Sequence, residues 1–101
     1  MINIVTALPA EARPLREHLG LRHKQPNAAF PVYRNDNMAL IVSGPGKVAA
    51  AAATAVLAGN DPEATKNAWL NIGIAGHAQH DIGSAFIAHR ITDQANGTSW
   101  Y

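Results

Sequence analysis

The chain has no cysteine. Disulfides, thiol nucleophiles and thiolate metal ligands are therefore excluded, and only histidines and carboxylates remain to bind a metal. Charge is also scarce. Charged residues make up 15% of 101 residues, and eight Lys plus Arg against seven Asp plus Glu leave a net charge of +1. That balance supplies neither the basic field that attracts nucleic acid nor an acidic tail, so no nucleic-acid partner is expected. Long apolar runs are missing as well. The longest, Val48 to Ala58, is alanine-dominated and too short to span a bilayer, so no membrane partner is expected. The opening Met1-Ile2-Asn3-Ile4 lacks the positively charged start of a signal peptide. What is present is a hydrophobic fraction of 48%, which argues against disorder. Length allows one domain with a real but modest core. The expectation is a soluble, cytoplasmic α/β domain in which low charge reflects many interior positions.

Ile2 to Ala7, rich in β-branched residues, reads as a strand buried on both faces. Ala10 to Leu19 reads as a helix with Pro9 in its first turn, Ala12, Leu15 and Leu19 on one face, and Gly20 as its stop. Arg22 to Ala28 reads as loop. Phe30 to Arg34 and Met38 to Val42 read as a hairpin turning on Asn35-Asp36-Asn37. After Ser43-Gly44-Pro45-Gly46, Lys47 to Ala58 has high helix propensity and Gly59 ends it. Asn60 to Asn67 is loop, Ala68 to Ile72 a short strand, Gly73 to Gly83 loop, and Ser84 to Thr92 a strand. Asn96-Gly97 is a hairpin-turn signal, and Thr98 to Tyr101 has strong β-propensity. The order β-α-β-β-α-β-β, with a final half-strand, predicts a mixed, mostly parallel sheet. In such sheets ligands sit at the carboxyl ends of the strands, here Leu8 to Glu11, Ser43 to Lys47 and Gly73 to His80.

Each candidate has a plain alternative. The Ser43–Lys47 turn offers close backbone approach and a helix N-terminus to an anion or sugar hydroxyl, or it is a tight turn and nothing more. It is not a P-loop, because the spacing before Lys47 is short and Val48 stands where Ser or Thr would hold magnesium. Gly44, Gly46 and Ala49 do satisfy G-x-G-x-x-A after a strand. The next strand, however, ends without an acidic residue for a ribose. Glu11 either complements the helix dipole or presents a carboxylate that orients or deprotonates water. His77, His80 and Asp81 invite a metal, but the spacing fits no strong zinc signature and a closed site needs about four ligands. No metal is assigned, and no cofactor. His89 reads as structural, and Trp69 and Trp100 as core or interface residues.

Three segments in order carry a resemblance: Ile2-Asn3-Ile4-Val5-Thr6-Ala7-Leu8-Pro9-Ala10-Glu11, then Ser43-Gly44-Pro45-Gly46-Lys47-Val48-Ala49-Ala50-Ala51, then Asn71-Ile72-Gly73-Ile74-Ala75-Gly76 with Ile82-Gly83-Ser84 after it. The chain resembles the N-terminal part of the nucleoside phosphorylase superfamily, most closely the methylthioadenosine/S-adenosylhomocysteine nucleosidase branch. The resemblance implies a three-layer α/β/α domain that cleaves the N-glycosidic bond of a purine nucleoside, with water or phosphate as nucleophile. It implies that Glu11 positions the nucleophilic water and that Leu8 lies beside the ribose. Pro45 would line the ribose or alkylthio end in a substrate-binding turn with Ser43, Gly44 and Gly46, and Ile74, Ala75 and Gly76 would pass beside the nucleoside. Two positions depart from the pattern: Ile74 stands where a serine usually holds the water, and His77 replaces a glycine. The purine-binding loop, the ribose-gripping glutamate and the base-protonating aspartate have no counterpart in these 101 residues. The 101 residues alone are therefore expected to be inactive, requiring a C-terminal half in cis or in trans. Two other expectations stand beside this one: a non-catalytic nucleotide-binding module built on Gly44 to Ala49, and a half-domain whose open sheet edge makes it a homo-oligomer.

Overall fold

The computed structural model describes residues 1–101. Strand β1 (Ile2–Thr6) leads to helix α1 (Pro9–Leu19), followed by strands β2 (His23–Lys24), β3 (Val32–Arg34) and β4 (Met38–Val42). Helix α2 (Lys47–Gly59), a 3₁₀ turn (Ala64–Lys66) and strand β5 (Ala68–Asn71) come next, and the short strands β6 (Ile91–Thr92) and β7 (Ser99–Trp100) close the chain. Five strands form one mixed sheet in the order β2-β3-β4-β1-β5, while β6 and β7 pair only with each other. The pairs β4–β1 and β1–β5 are parallel, and β2–β3 and β3–β4 are antiparallel. The expected mostly parallel sheet is thus parallel only in its three central and edge strands β4, β1 and β5. The hairpin adds an antiparallel wing.

Alternation along β1 explains why its sequence is apolar in nearly every position. Ile4 packs with Ala12, Leu21, Leu40 and Val42 on the α1 side of the sheet. Val5 packs with Val32, Ala39, Ile41, Ala53 and Leu57 on the α2 side. One helix therefore covers each face, and β1 and β4 are buried from both. Each fully buried Leu or Ile contributes about 1.5–3 kcal/mol by leaving water. Alanine at position 53 brings α2 close to the sheet, as expected from its small side chains. The same strand carries two costs. The Asn3 Nδ2 and Thr6 Oγ1 atoms are buried without a hydrogen-bond partner, which opposes folding.

The ends of α1 follow local chemistry. Pro9 occupies its first turn, and Pro14 lies inside it, where the ring removes one helical N–H. Gly20 adopts a left-handed conformation (φ 67°), and the N–H groups of Gly20 and Leu21 both close on the Arg16 carbonyl. This turn drives Leu21 into the core at 1% exposure. Asn35 organises the β3–β4 turn. Its Oδ1 accepts from the N–H groups of Asn37 (2.8 Å) and Met38 (2.7 Å), and its Nδ2 donates to the Leu19 carbonyl (3.0 Å).

Four sequence expectations need correction. Within Arg22 to Ala28, His23 and Lys24 pair with Arg34 and Tyr33 as β2. Phe30 precedes β3 rather than belonging to it. Ser84 to Thr92 forms a strand only at Ile91–Thr92, because residues 84–90 have no neighbouring strand to supply ladder hydrogen bonds. Asn96-Gly97 is not a two-residue turn. It closes a longer loop in which the Gly97 N–H donates to Asp93 O (2.8 Å) with Gly97 at φ 76°. Interior positions are also fewer than low charge suggested. Only 14 of 101 residues are buried, all between Asn3 and Leu57. No helix is long and apolar enough to cross a membrane.

Candidate functional site

The registers Thr6↔Val42 and Val5↔Asn71 bring β4, β1 and β5 to a common level at their carboxyl ends. The three loops that leave this edge, with the first turn of α1, hold every candidate residue. Leu8 and Glu11 follow β1, Ser43 to Gly46 follow β4, and Ile74 to Gly76 follow β5.

Glu11 is the point where two of these loops meet. Its Oε1 accepts from the N–H groups of Ala7 (3.1 Å) and Leu8 (2.8 Å), and its Oε2 accepts from the N–H of Ile74 (2.7 Å). The first two bonds cap α1, since Leu8 is its N-cap and has no side-chain oxygen of its own. The third reaches 63 residues along the chain and ties the segment after β5 to α1. Gly73 makes that contact possible. A Cβ there would lie 2.7 Å from Glu11 Oε2. A carboxylate offers about four acceptor positions. Three are filled by backbone donors, two of them on Oε1, so the open position is on Oε2. Both alternatives for Glu11 are therefore present in one side chain: a structural cap, and a carboxylate held rigidly at the ligand edge.

The turn after β4 is fastened to β1 in the same region. The Ser43 and Gly44 N–H groups donate to Thr6 O (2.8 Å) and Ala7 O (2.9 Å). Ser43 is buried, with its Oγ 2.7 Å from Gly44 O and 3.2 Å from Thr6 O. Gly44 (φ 85°) and Gly46 (φ 97°) take conformations that favour glycine, while Pro45 is exposed. Gly46 is the N-cap of α2 and provides no side-chain cap. Leu8 is 39% exposed and Ile74 81% exposed, each presenting an apolar side chain at this edge. Ala75 and Gly76 are exposed and make no hydrogen bond to Glu11 or to the Ser43–Gly46 turn.

The dinucleotide pattern meets a topological obstacle. Gly44, Gly46 and Ala49 do lie between a strand and a helix, but β5 lies next to β1, not next to β4. The adjacent βαβ pair that places a dinucleotide's ribose on the following strand is not formed there. The histidines take no ligand-like arrangement. His77 and His80 pack edge to face at 4.4 Å and both contact the Phe86 ring, and the His77 Nδ1 accepts from the Gln79 N–H (3.0 Å). No group of three His, Asp or Glu is placed to hold a metal ion. His89, expected to be structural, is exposed beside Tyr101. Trp69 packs against the core on the α2 side, whereas Trp100 is 55% exposed.

Sequence reasoning placed Gly73 at the end of a strand but missed its close approach to Glu11. It also missed Lys47 paired with Asp93 at 2.7 and 2.9 Å, for which 46 residues of separation left no signal. That contact holds the Asp93 carboxyl below its usual range, with Lys47 as the main cause and the Ala95 N–H second. Comparison of the chain with protein-family models, with curated proteins and with solved structures finds no match.

Proposed function

We propose that this chain carries the nucleophile-positioning part of a nucleosidase that cleaves the N-glycosidic bond of a methylthioadenosine-like purine nucleoside, within a three-layer phosphorylase-type domain. The observation that carries the reading is Glu11: a carboxylate fixed by three backbone donors at the shared edge of β4, β1 and β5, with one acceptor position open on Oε2. One helix on each face of the sheet supports the architecture.

Glycosidic cleavage passes through an oxocarbenium-like transition state, so a weak nucleophile suffices if it is correctly placed. The open position on Oε2 accepts one O–H of a water and aims its lone pair at the anomeric carbon. A carboxylate attracts the O–H of water and repels the like charge of phosphate, which favours hydrolysis over phosphorolysis. Ile74 gives its N–H to Glu11 where a serine would have given a hydroxyl to the water. Leu8 and Ile74 offer apolar surface to the ribose, and the glycines at 44 and 46 let backbone approach the 5′ substituent. No residue here takes the roles of gripping the ribose hydroxyls or protonating the departing base. The reading therefore assigns those roles to a further segment, in cis or in trans, and expects these residues alone to bind but not to turn over.

Calorimetry of the 101-residue chain with methylthioadenosine, adenosine, inorganic phosphate and a nicotinamide dinucleotide tests the reading. Methylthioadenosine is expected to bind most tightly, and Glu11→Ala to weaken it. Preference for the dinucleotide would favour the binding-module alternative, and absence of any nucleoside heat would refute the nucleosidase reading.

A further inference from the structure

Residues 73–101 lie outside the core. Of these, all but the half-buried Asp93 are exposed, and β6–β7 is a sheet of its own. A two-stranded hairpin is marginal in water without further support. Its polar connections to the rest of the molecule are two. At the start, the Ile74 N–H donates to Glu11 in the first turn of α1. Near the end, both Asp93 oxygens accept from Lys47 Nζ at the first residue of α2. No other hydrogen bond or ion pair joins residues 75–101 to residues 1–72.

The positions of these fastenings matter more than their number. The segment leaves the sheet at the end of β5, is pinned beside the end of β1, and returns to the helix that follows β4. It is thus moored on both sides of the edge that carries Glu11 and the Ser43–Gly46 turn. Around the second mooring, Lys47, Ile91, Thr92, Asp93, Ala95 and Trp100 frame a cavity of about 580 Å³. Trp100 is half exposed there. The side chain of Lys47 is 65% exposed and that of Asp93 21%, so the pair is solvated, cheap to open and screened by salt. Asp93 is suited to this place by its own turn: its Oδ1 also accepts from the Ala95 N–H (3.0 Å), which orients the carboxylate before Lys47 arrives.

We propose that residues 75–101 form a strap across the carboxyl edge of the sheet, hinged at the Glu11–Ile74 contact and latched by Lys47–Asp93, which opens and closes access to the site beside Glu11. A weak, solvated latch is what a strap needs if it is to open on the timescale of ligand entry. Closure over a nucleoside rests on the proposed function; the latch itself does not.

Hydrogen exchange of the intact chain at amides 91–100, followed by mass spectrometry, tests the latch without any ligand. Asp93→Asn keeps the acceptor for Ala95, and Lys47→Met keeps the unbranched apolar stem while removing the ammonium. Each is expected to accelerate exchange at 91–100 by about two- to fivefold, and the double variant by no more than either alone, because one interaction is removed in all three. Exchange across β1 and β4 is expected to stay unchanged. Wild-type rates in Asp93→Asn, or additive effects in the double variant, would overturn the latch. A second arm adds methylthioadenosine. Slower exchange at 91–100 on binding supports closure over the nucleoside, and a binding heat with unchanged exchange overturns it. Absence of any binding heat sinks the proposed function and leaves the latch to be judged by the ligand-free arm.

Discussion

Residues 1–72 and residues 73–101 are built from similar material and fold differently. Large apolar side chains number 21 of 72 in the first region and 7 of 29 in the second. In the first all but Met1, Leu8, Val48 and Leu70 are buried or half-buried, most of them against the two faces of a five-stranded sheet. In the second all seven are exposed. The difference lies in arrangement. β1 and β4 are apolar except at Asn3 and Thr6 and have a helix over each face, so each apolar side chain finds neighbours. The second region has apolar residues at 74, 82, 86, 87, 91, 100 and 101 with no third layer to meet them, and its longest strand has two residues. Apolar content becomes a core only where topology supplies a second surface.

The sharpest test of the contrast removes one side chain from each region. Leu40→Ala empties a fully buried position and is expected to cost about 2–5 kcal/mol in a denaturant titration. Ile87→Ala, at a fully exposed position, is expected to change stability by less than about 0.5 kcal/mol. Comparable losses from the two would break the comparison. Glu11→Gln probes the seam between the regions. The amide keeps the Oε1 bonds to Ala7 and Leu8 but turns an N–H₂ toward the Ile74 N–H, so a loss of about 1–3 kcal/mol is expected. Faster amide exchange should start at Ile74. Within the first region, Asn3→Val replaces a buried, unpartnered amide in a central strand. A gain of about 1 kcal/mol is expected in the same titration, and a loss would mean that the amide has a partner such as buried water.

The smallest expected effect concerns pH. Asp93 is held below its ordinary value near 3.8 by Lys47 first and the Ala95 N–H second. A lowered folded-state value means that the contribution of this contact is complete above 3.8 and is lost as pH falls through the lower, folded value. Nuclear magnetic resonance of residues 91–100 should therefore be constant from pH 7 to pH 5 and loosen only in stronger acid. Loosening already at pH 6 would refute Asp93 as the group that titrates. Asp61 is lowered in the same direction, mainly by the Glu63 N–H and then by Asn67. The turn before β5 should loosen in the same acid range.

Local chemistry made much of the first region legible. The apolar run of β1, Gly20 after α1, the asparagines between β3 and β4 and the alanine-rich helix each act within a few residues, and the structure places them where their residue types predict. His23–Lys24 was not legible, because a two-residue strand depends on β3 being alongside. Residues 84–90 misled for the reverse reason: β-propensity expresses itself only when a partner strand is present. At the candidate site, Glu11 and the Gly44–Gly46 turn could be read from their places after strands. The contact between Glu11 and Ile74 could not, since it joins positions 63 apart and depends on β5 lying beside β1.

The absence of cysteine excluded disulfide and thiolate chemistry from the composition alone. The amino-acid order determined most of the elements in residues 1–72, because caps, turns and apolar alternation are short-range properties. The tertiary structure alone decided which strands are neighbours. It therefore decided that three connections share one edge, that Ile74 supplies the third donor to Glu11, and that Lys47 meets Asp93. Each of these depends on distances across the sheet, which local sequence does not encode.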